Sequence, residues 1–439
     1  MTLGSQEREA GFVTVKGLRD RVGDRVKVRG WLYNRRSSGR ISFLLVRDGT
    51  GVVQVVASAK EVPEGVWEEI TALGQESSLI VEGVVKEDAR SPGGCELQMT
   101  DLQLVQAAED YPLALKEHGV EFLLDHRHLW LRTPRQTSLL RLRDRLMREL
   151  EGFLRSDGFT RVDTPILTPN ACEGTTSLFE TDYFGEAAYL TQSGQLYSEA
   201  TCVALGKVYC FSPAFRAEKS KTRRHLIEFW MLEPEMAYYT YEDNLHLQEQ
   251  MVEHVVGEVL RHNSDDLEIL ERDIQGLEKV KAPFPRISYD DALDLLEKAG
   301  LPLQWGDDFG APHESEIVRH FDRPVFVERF PVQTKAFYME PDPDRPEVAL
   351  AADLLAPEGY GEIIGGSQRI DDYDLLLRRI REHNLPEEDF QWYLDLRRFG
   401  SVPHSGFGLG IERLLTWIAG LEHIRESVPF PRLLNRLRP

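Results

Sequence analysis

Two arginines sit in settings suited to phosphate chemistry. Arg216 lies in Phe215-Arg216-Ala217-Glu218, with an acid two places on. An acid-aromatic strand follows, His225-Leu226-Ile227-Glu228-Phe229-Trp230-Met231-Leu232-Glu233. Far downstream, Gly408-Leu409-Gly410-Ile411-Glu412-Arg413 reads as a Gly-rich strand running into a helix that opens with arginine. A planar guanidinium binds phosphate oxygens bidentately, so these are parts for gripping a nucleoside triphosphate. Asp353, in Ala351-Ala352-Asp353-Leu354-Leu355, and Glu362, in Gly361-Glu362-Ile363-Ile364-Gly365-Gly366, stand in segments otherwise nearly uncharged. Such a pair suits Mg2+, which takes one or two carboxylates together with phosphates and water.

These residues must be held by elements that the apolar pattern locates. From Arg135 to Leu154 apolar side chains recur at helical spacing (Leu139, Leu142, Leu146, Leu150, Phe153), predicting a long amphipathic helix that stops at Asp157-Gly158. Beyond it strands alternate with helices. The stretch 283–345, rich in Pro and acids, is expected to form a semi-independent insertion. At the other end, residues 13–106 read as strands: Val26–Leu32, Ile41–Val46, Val52–Val56, Leu79–Val85 and Glu96–Val105. Turn clusters such as Ser37-Ser38-Gly39 and Asp48-Gly49-Thr50-Gly51 separate them. Strands this short and this close predict a small closed barrel of the OB type. The expected organisation is a barrel domain over 1–108, a hinge over 109–133 and a catalytic domain over 134–439.

Composition narrows the function classes. The 439 residues are 41% hydrophobic and 28% charged, and no apolar run reaches membrane-span length. Met1 to Ala10 is polar, without the apolar core of a signal peptide. The four cysteines (Cys95, Cys172, Cys202, Cys210) lack metal-ligand spacing and read as reduced thiols, so a cytoplasmic protein is expected. The net charge of −21 is uneven: residues 1–60 hold 12 Lys and Arg against 5 Asp and Glu, a balance of +7, and the remainder carries −28. A basic end on an acidic body suits a protein that offers one face to a polyanion.

Taken in order, and after Gly158-Phe159-Thr160-Arg161-Val162-Asp163-Thr164-Pro165, the three segments resemble the signature motifs of class II aminoacyl-tRNA synthetases. The run Arg36 to Gln54 is similar to the anticodon-binding barrel of the class IIb subgroup, and Asp125 to Arg132 to its hinge. The resemblance implies an α+β protein: an OB barrel joined to an antiparallel sheet flanked by helices, active as a homodimer built on the first motif. It implies that Arg216 holds the α-phosphate of ATP with Glu218 beside it, and that Arg413 meets the γ-phosphate end with help from His225. Phe229 would stack on adenine, while Gly408 and Gly410 would let backbone approach the nucleotide. Asp353 and Glu362 would hold Mg2+. Glu173, Ser193 and Gln195 fall where the subgroup binds the substrate's ammonium and main chain, and Arg369 where it binds a side-chain oxygen. The loop Lys219 to Arg224 carries charge suited to the acceptor end of tRNA. On the barrel, Phe43, Gln54 and Arg36 match tRNA-binding positions. Phe43 has a second reading, because Ile41, Phe43 and Leu45 share one strand face and could be core.

The subgroup activates aspartate, asparagine or lysine. Arg369 would repel lysine. Aspartyl members place a lysine where this chain has Ser198, and a shorter acid where it has Glu233. A longer acid without that lysine makes an acceptor-rich corner that suits an amide NH2. A substrate carboxylate there would be a second buried anion, at a cost of roughly 3–5 kcal/mol. The expected reaction is therefore activation of L-asparagine to asparaginyl-adenylate, with pyrophosphate leaving, and transfer to the 3′ end of tRNA(Asn). An aspartyl enzyme, an amidating synthetase and a non-catalytic relative are the alternatives. Ser198 and Glu233 oppose the first, the barrel the second, and the retained Arg216, Arg413, Asp353 and Glu362 the third.

Overall fold

Strict alternation builds the N-terminal strands. In β1 (Arg25–Ser38) Val26, Val28 and Leu32 point inward while Arg25, Lys27 and Arg29 face water. β2 (Ile41–Arg47), β3 (Val52–Ser58), β4 (Ser78–Glu87) and β5 (Cys95–Gln106) repeat the pattern. The computed structural model, which describes residues 11–169, 178–220 and 222–439, closes them into a barrel in the order β1-β2-β3-β5-β4. Leu44, Val46, Val53, Val55, Val81 and Leu97 fill its interior. The inward residues of β2 are Ser42, Leu44 and Val46, so Phe43 lies on the outer face and the core reading of that residue is corrected.

The chain divides into two compact units, Met1–Val120 and Glu121–Pro439, with the division inside the 109–133 stretch. The second unit is built on an eight-stranded sheet in the order β12 (Arg286–Ser288), β13 (Val325–Glu328), β14 (Ala351–Ala356), β15 (Gly361–Gln368), β16 (His404–Gly410), β11 (Glu228–Ala237), β10 (Lys207–Phe215) and β6 (Thr160–Arg161). The β12/β13 and β10/β6 pairs are parallel and the other neighbours antiparallel. The helix Pro134–Ser156 covers it with Leu139, Leu142, Leu146, Leu150 and Leu154, one apolar stripe at helical spacing. That helix ends as expected: Gly158 has φ +84°, a left-handed conformation that glycine adopts without strain. The helices Tyr241–His262 and Ile411–Ile418 complete the core. Thr240 starts the former with a capping box to Asp243. A smaller sheet has the order β7 (Leu167–Thr168), β9 (Glu186–Leu190), β8 (Glu180–Tyr183).

Residues 283–345 hold a satellite core around Tyr289, Leu296, Ile317 and Phe330. They also contribute β12 (Arg286–Ser288) and β13 (Val325–Glu328) to the edge of the main sheet. The insertion therefore has its own core yet extends the catalytic sheet.

Candidate active site

The sheet order explains how distant segments meet. β11 (Glu228–Ala237) lies between β10 (Lys207–Phe215) and β16 (His404–Gly410), and β16 pairs in turn with β15 (Gly361–Gln368). Met231 stands opposite Gly410, and Gly365 opposite both Gly408 and, on β14 (Ala351–Ala356), Asp353. Alternation along β11 sends Phe229, Met231 and Glu233 to the cavity face, opposite the face where Leu232 and Met236 pack with the helices Pro134–Ser156 and Tyr241–His262. One cavity is lined by Arg216, His225, Phe229, Glu362, Gly410 and Arg413, the residues expected to bind ATP apart from Glu218. A second cavity, about 460 Å³, is lined by Gln195, Glu218, Glu233, Asp353 and Arg369 among others. Arg216, Met231, Glu362 and Gly408 line both, so the two adjoin.

The charges in this space are arranged unequally. Arg216 lies over the Phe229 ring, 5.4 Å from its centroid, and its Nε is buried with no hydrogen-bond partner. Arg413 Nη1 donates to Glu362 Oε2 at 2.8 Å, and Lys335 Nζ to Asp353 Oδ2 at 2.7 Å. A register shift in the β14/β15 ladder leaves Ile363 unpaired, between Glu362 opposite Leu355 and Ile364 opposite Leu354. A Cβ on Gly365 would lie 3.2 Å from Glu362 Oε1 and 3.5 Å from Asp353 Oδ1. Both carboxylates thus converge over a residue that has no side chain to separate them. Burial works to raise the Glu362 carboxyl, but Arg413, Lys335 and Arg216 outweigh it and hold it at about 2. Burial pushes Asp353 up to about 7 despite Lys335, with Glu362 adding to the rise. His225 Nε2 sits 3.3 Å from Glu218 Oε2. A Cβ on Gly410 would meet the Arg413 side chain at an ordinary contact distance of 3.7 Å, whereas the Cβ position of Gly408 is filled by Met231 Cε at 2.7 Å.

In the second cavity Glu233 is anchored by Ser193 Oγ and by the Gly194 N–H at 2.9 Å. The Ser193 hydroxyl is therefore committed to Glu233. Arg369 donates from Nε (3.3 Å) and Nη2 to Glu235 and from Nη1 to Ser367 Oγ (2.8 Å). The Glu235 carboxylate occupies the space where residue 406 would carry a side chain, so only glycine fits there. Ser198 is fully buried in the helix Gln195–Leu205. Glu173 lies outside the described residues.

Several partners escaped the sequence reading. Lys335 sits in an insertion with no phosphate-binding pattern. Glu235 follows Glu233 by one strand period, which marks it as sharing the site face. Arg224, expected as a tRNA-facing cation, donates to Glu314 Oε2 and to Ser315 Oγ, both at 2.7 Å, in the insertion's helix Ala311–Val318. Among the described residues no cluster of three or more His, Cys, Asp or Glu could hold a metal.

On the barrel, Arg36 faces Phe43 across the β1/β2 ladder. Its guanidinium lies 5.1 Å from the Phe43 ring centroid, and its Nη2 is 3.3 Å from Gln54 Oε1. Gln54 Nε2 donates onward to Ser91 Oγ and Glu96 Oε2, both at 3.2 Å. The three residues singled out from sequence therefore form one outward patch.

The family model described as tRNA synthetases class II (D, K and N) matches residues 119–434, and that described as OB-fold nucleic acid binding domain matches residues 26–105. The chain is 60% identical to an asparagine–tRNA ligase of Pelotomaculum thermopropionicum, over 97% of its own length and 99% of the relative's. It is 58% identical to that of Symbiobacterium thermophilum, over 98% and 100%. The crystal structure of asparaginyl-tRNA synthetase from Pyrococcus horikoshii complexed with asparaginyl-adenylate superposes with a TM-score of 0.95 at 46% identity, covering 98% of this chain and 100% of that one. An Entamoeba histolytica asparaginyl-tRNA synthetase gives 0.87 at 32% identity, over 95% and 97%. With a family match across the whole catalytic unit and relatives similar nearly end to end, the chain belongs to the class II tRNA synthetases of the aspartate, lysine and asparagine group, on their asparagine branch.

Proposed function

We propose that this protein activates L-asparagine with ATP and transfers it to the 3′ end of tRNA(Asn). The observation that carries the reading is the junction of the two cavities at Arg216, a cation with a buried, unpartnered Nε between the proposed nucleotide and amino-acid sites. Asparagine's α-carboxylate is already ionised at neutral pH, so attack on the α-phosphorus needs no general base. The P–O bond to pyrophosphate breaks as the bond to the carboxylate oxygen forms, giving the mixed anhydride asparaginyl-adenylate. The protein's work is to align two anions and offset their charge.

Arg216 meets the α-phosphate, with Glu218 beside it, and Phe229 offers its ring to adenine. Arg413 and His225 take the distal phosphates, with Gly410 leaving room for the nucleotide. Asp353 and Glu362 would hold Mg2+, since their oxygens converge over Gly365; bound there, the ion offsets phosphate charge. Lys335 and Arg413 are the counter-charges that keep this acidic pair tolerable without it. At the amino acid, Glu173 and Gln195 take the ammonium, Arg369 donates to the side-chain carbonyl, and Glu233, fixed by Ser193, accepts from the amide NH2. The Arg36–Phe43–Gln54 patch is the anticodon contact.

Exposed Ile166, Leu167, Val203, Leu205 and Tyr238 support the homodimer reading. Free buried thiols at Cys95, Cys202 and Cys210 favour a reducing, cytoplasmic setting. No described helix is long and apolar enough to cross a membrane. Aminoacylation of a tRNA(Asn) transcript tests the reading: labelled asparagine should be esterified and labelled aspartate should not. Aspartyl-tRNA as the main product would contradict it.

A further inference from the structure

Behind the amino-acid cavity lies a buried polar cluster that the activation chemistry leaves unused. Glu199 stands four residues after Gln195 on the helix Gln195–Leu205, so the two side chains share one helix face. The Glu199 carboxylate is completely buried. Tyr393 Oη donates to both of its oxygens (2.8 and 2.7 Å), and Arg397 Nη2 donates at 2.7 Å. His404 Nε2 stands 3.0 Å from Oε2, and Gln195 Nε2 donates to Oε1 at 3.0 Å. Burial opposes the charge on Glu199, but Arg397 and His404 outweigh it and hold the carboxyl well below the usual carboxylate range.

An ionised carboxylate accepts and cannot donate, so it dictates which end of a neighbouring carboxamide it meets. The Gln195 NH2 must face Glu199, which turns the Gln195 oxygen away from the cluster, and Gln195 lines the amino-acid cavity beside Glu233 and Arg369. We propose that Glu199 is a positioning residue that aims the Gln195 carboxamide oxygen at the substrate's α-ammonium group. The inference rests on reading that cavity as the amino-acid site. An amide at 199 could present either of its ends, and Gln195 would then lose its fixed polarity. A purely structural Glu199, holding only the helix Gln391–Arg398 in place, would affect every substrate alike.

The test is ATP–pyrophosphate exchange by the full-length protein, with KM measured separately for asparagine and for ATP. It is paired with binding of asparagine against succinamate, which is asparagine without its α-amino group. Glu199→Gln should raise KM for asparagine about 10- to 100-fold, the range of one misplaced hydrogen bond to a charged group, and leave KM for ATP within about twofold. The preference for asparagine over succinamate should shrink by a similar factor. The double variant Gln195→Glu, Glu199→Gln restores an acceptor–donor pair of the same net charge and should recover at least about tenfold of the loss. That double variant also decides the case if the single one is too unstable to assay. Unchanged KM for asparagine, equal rises in both KM values, or a double variant without selectivity for the α-ammonium would overturn the inference. A wild-type protein that exchanges with asparagine while Glu199→Gln behaves normally sinks this inference alone; a wild type inactive with asparagine takes down the underlying reading as well.

Discussion

Each compact unit sets an arginine over a phenylalanine at its proposed ligand face, and the two pairs behave differently. On the barrel, Arg36 over Phe43 is exposed and already hydrogen-bonded to Gln54. In the catalytic cavity Arg216 over Phe229 has a buried Nε without a partner. The spacing is alike, 5.1 Å against 5.4 Å, so geometry does not separate them. Solvation does. An exposed pair can exchange water for a stacked base with modest gain, which suits reversible reading of single-stranded RNA. A half-buried guanidinium acts more strongly on a phosphate than an exposed one, which suits charge stabilisation in a reaction.

Breaking the cavity pair should have the largest effect. Arg216→Ala should lower kcat/KM for asparagine-dependent exchange by about 10³-fold or more, because a charge-assisted contact made in a half-buried site is lost. A loss under tenfold would show Arg216 to be peripheral. Next comes Glu233→Gln. The Gly194 N–H can still donate to the new carbonyl and the Ser193 hydroxyl can accept from the new NH2, so the fold should stand while the acceptor for the substrate amide weakens. Asparagine activation should fall about 10²-fold with aspartate little changed. An unchanged ratio would move the specificity elsewhere. The exposed pair should respond more mildly: Phe43→Ala should cut tRNA charging about 10- to 100-fold with exchange intact. Loss of both activities together would mean that the outward Phe43 supports the barrel itself.

The order of these effects follows what could be read from the chain. Arg216 and Arg413, which the fold brings to one cavity, could be singled out because each sits in a compact local pattern, Phe215 to Glu218 and Gly408 to Arg413. The barrel and the helix Pro134–Ser156 were legible because alternation and helical spacing are local signals. Phe43 was ambiguous because β2 is largely apolar on both faces; closure of the barrel decides that Leu44 and Val46 go inside. The counter-charges were not legible. Lys335 meets Asp353 across 18 residues, Arg369 meets Glu235 across 134, and Arg397 meets Glu199 across 198. Such pairs are created by sheet order and helix docking, and no short window contains both partners.

The smallest predicted effect concerns a half-buried acid that lacks what Glu362 has. Glu340 carries a buried Oε2 without a partner, and burial, with Asp371 and Asp372 nearby, pushes its carboxyl up to about 7. An acid whose folded value lies above its unfolded one holds more protons when folded, so stability falls as pH rises from the usual carboxylate range through about 7. Glu340→Gln should therefore raise Tm at pH 8 by about 1–2 °C, with little or no gain at pH 4. An equal gain at both pH values would rule out titration of Glu340 as the cause.

The central claim is that the two adjoining cavities take ATP and asparagine. ATP–pyrophosphate exchange, run with asparagine and with aspartate in parallel and without tRNA, tests it most directly. The account predicts exchange with asparagine and at least about 10²-fold less with aspartate. Equal or preferential exchange with aspartate would contradict the roles given to Glu233 and Arg369, and no exchange with either would contradict the site itself.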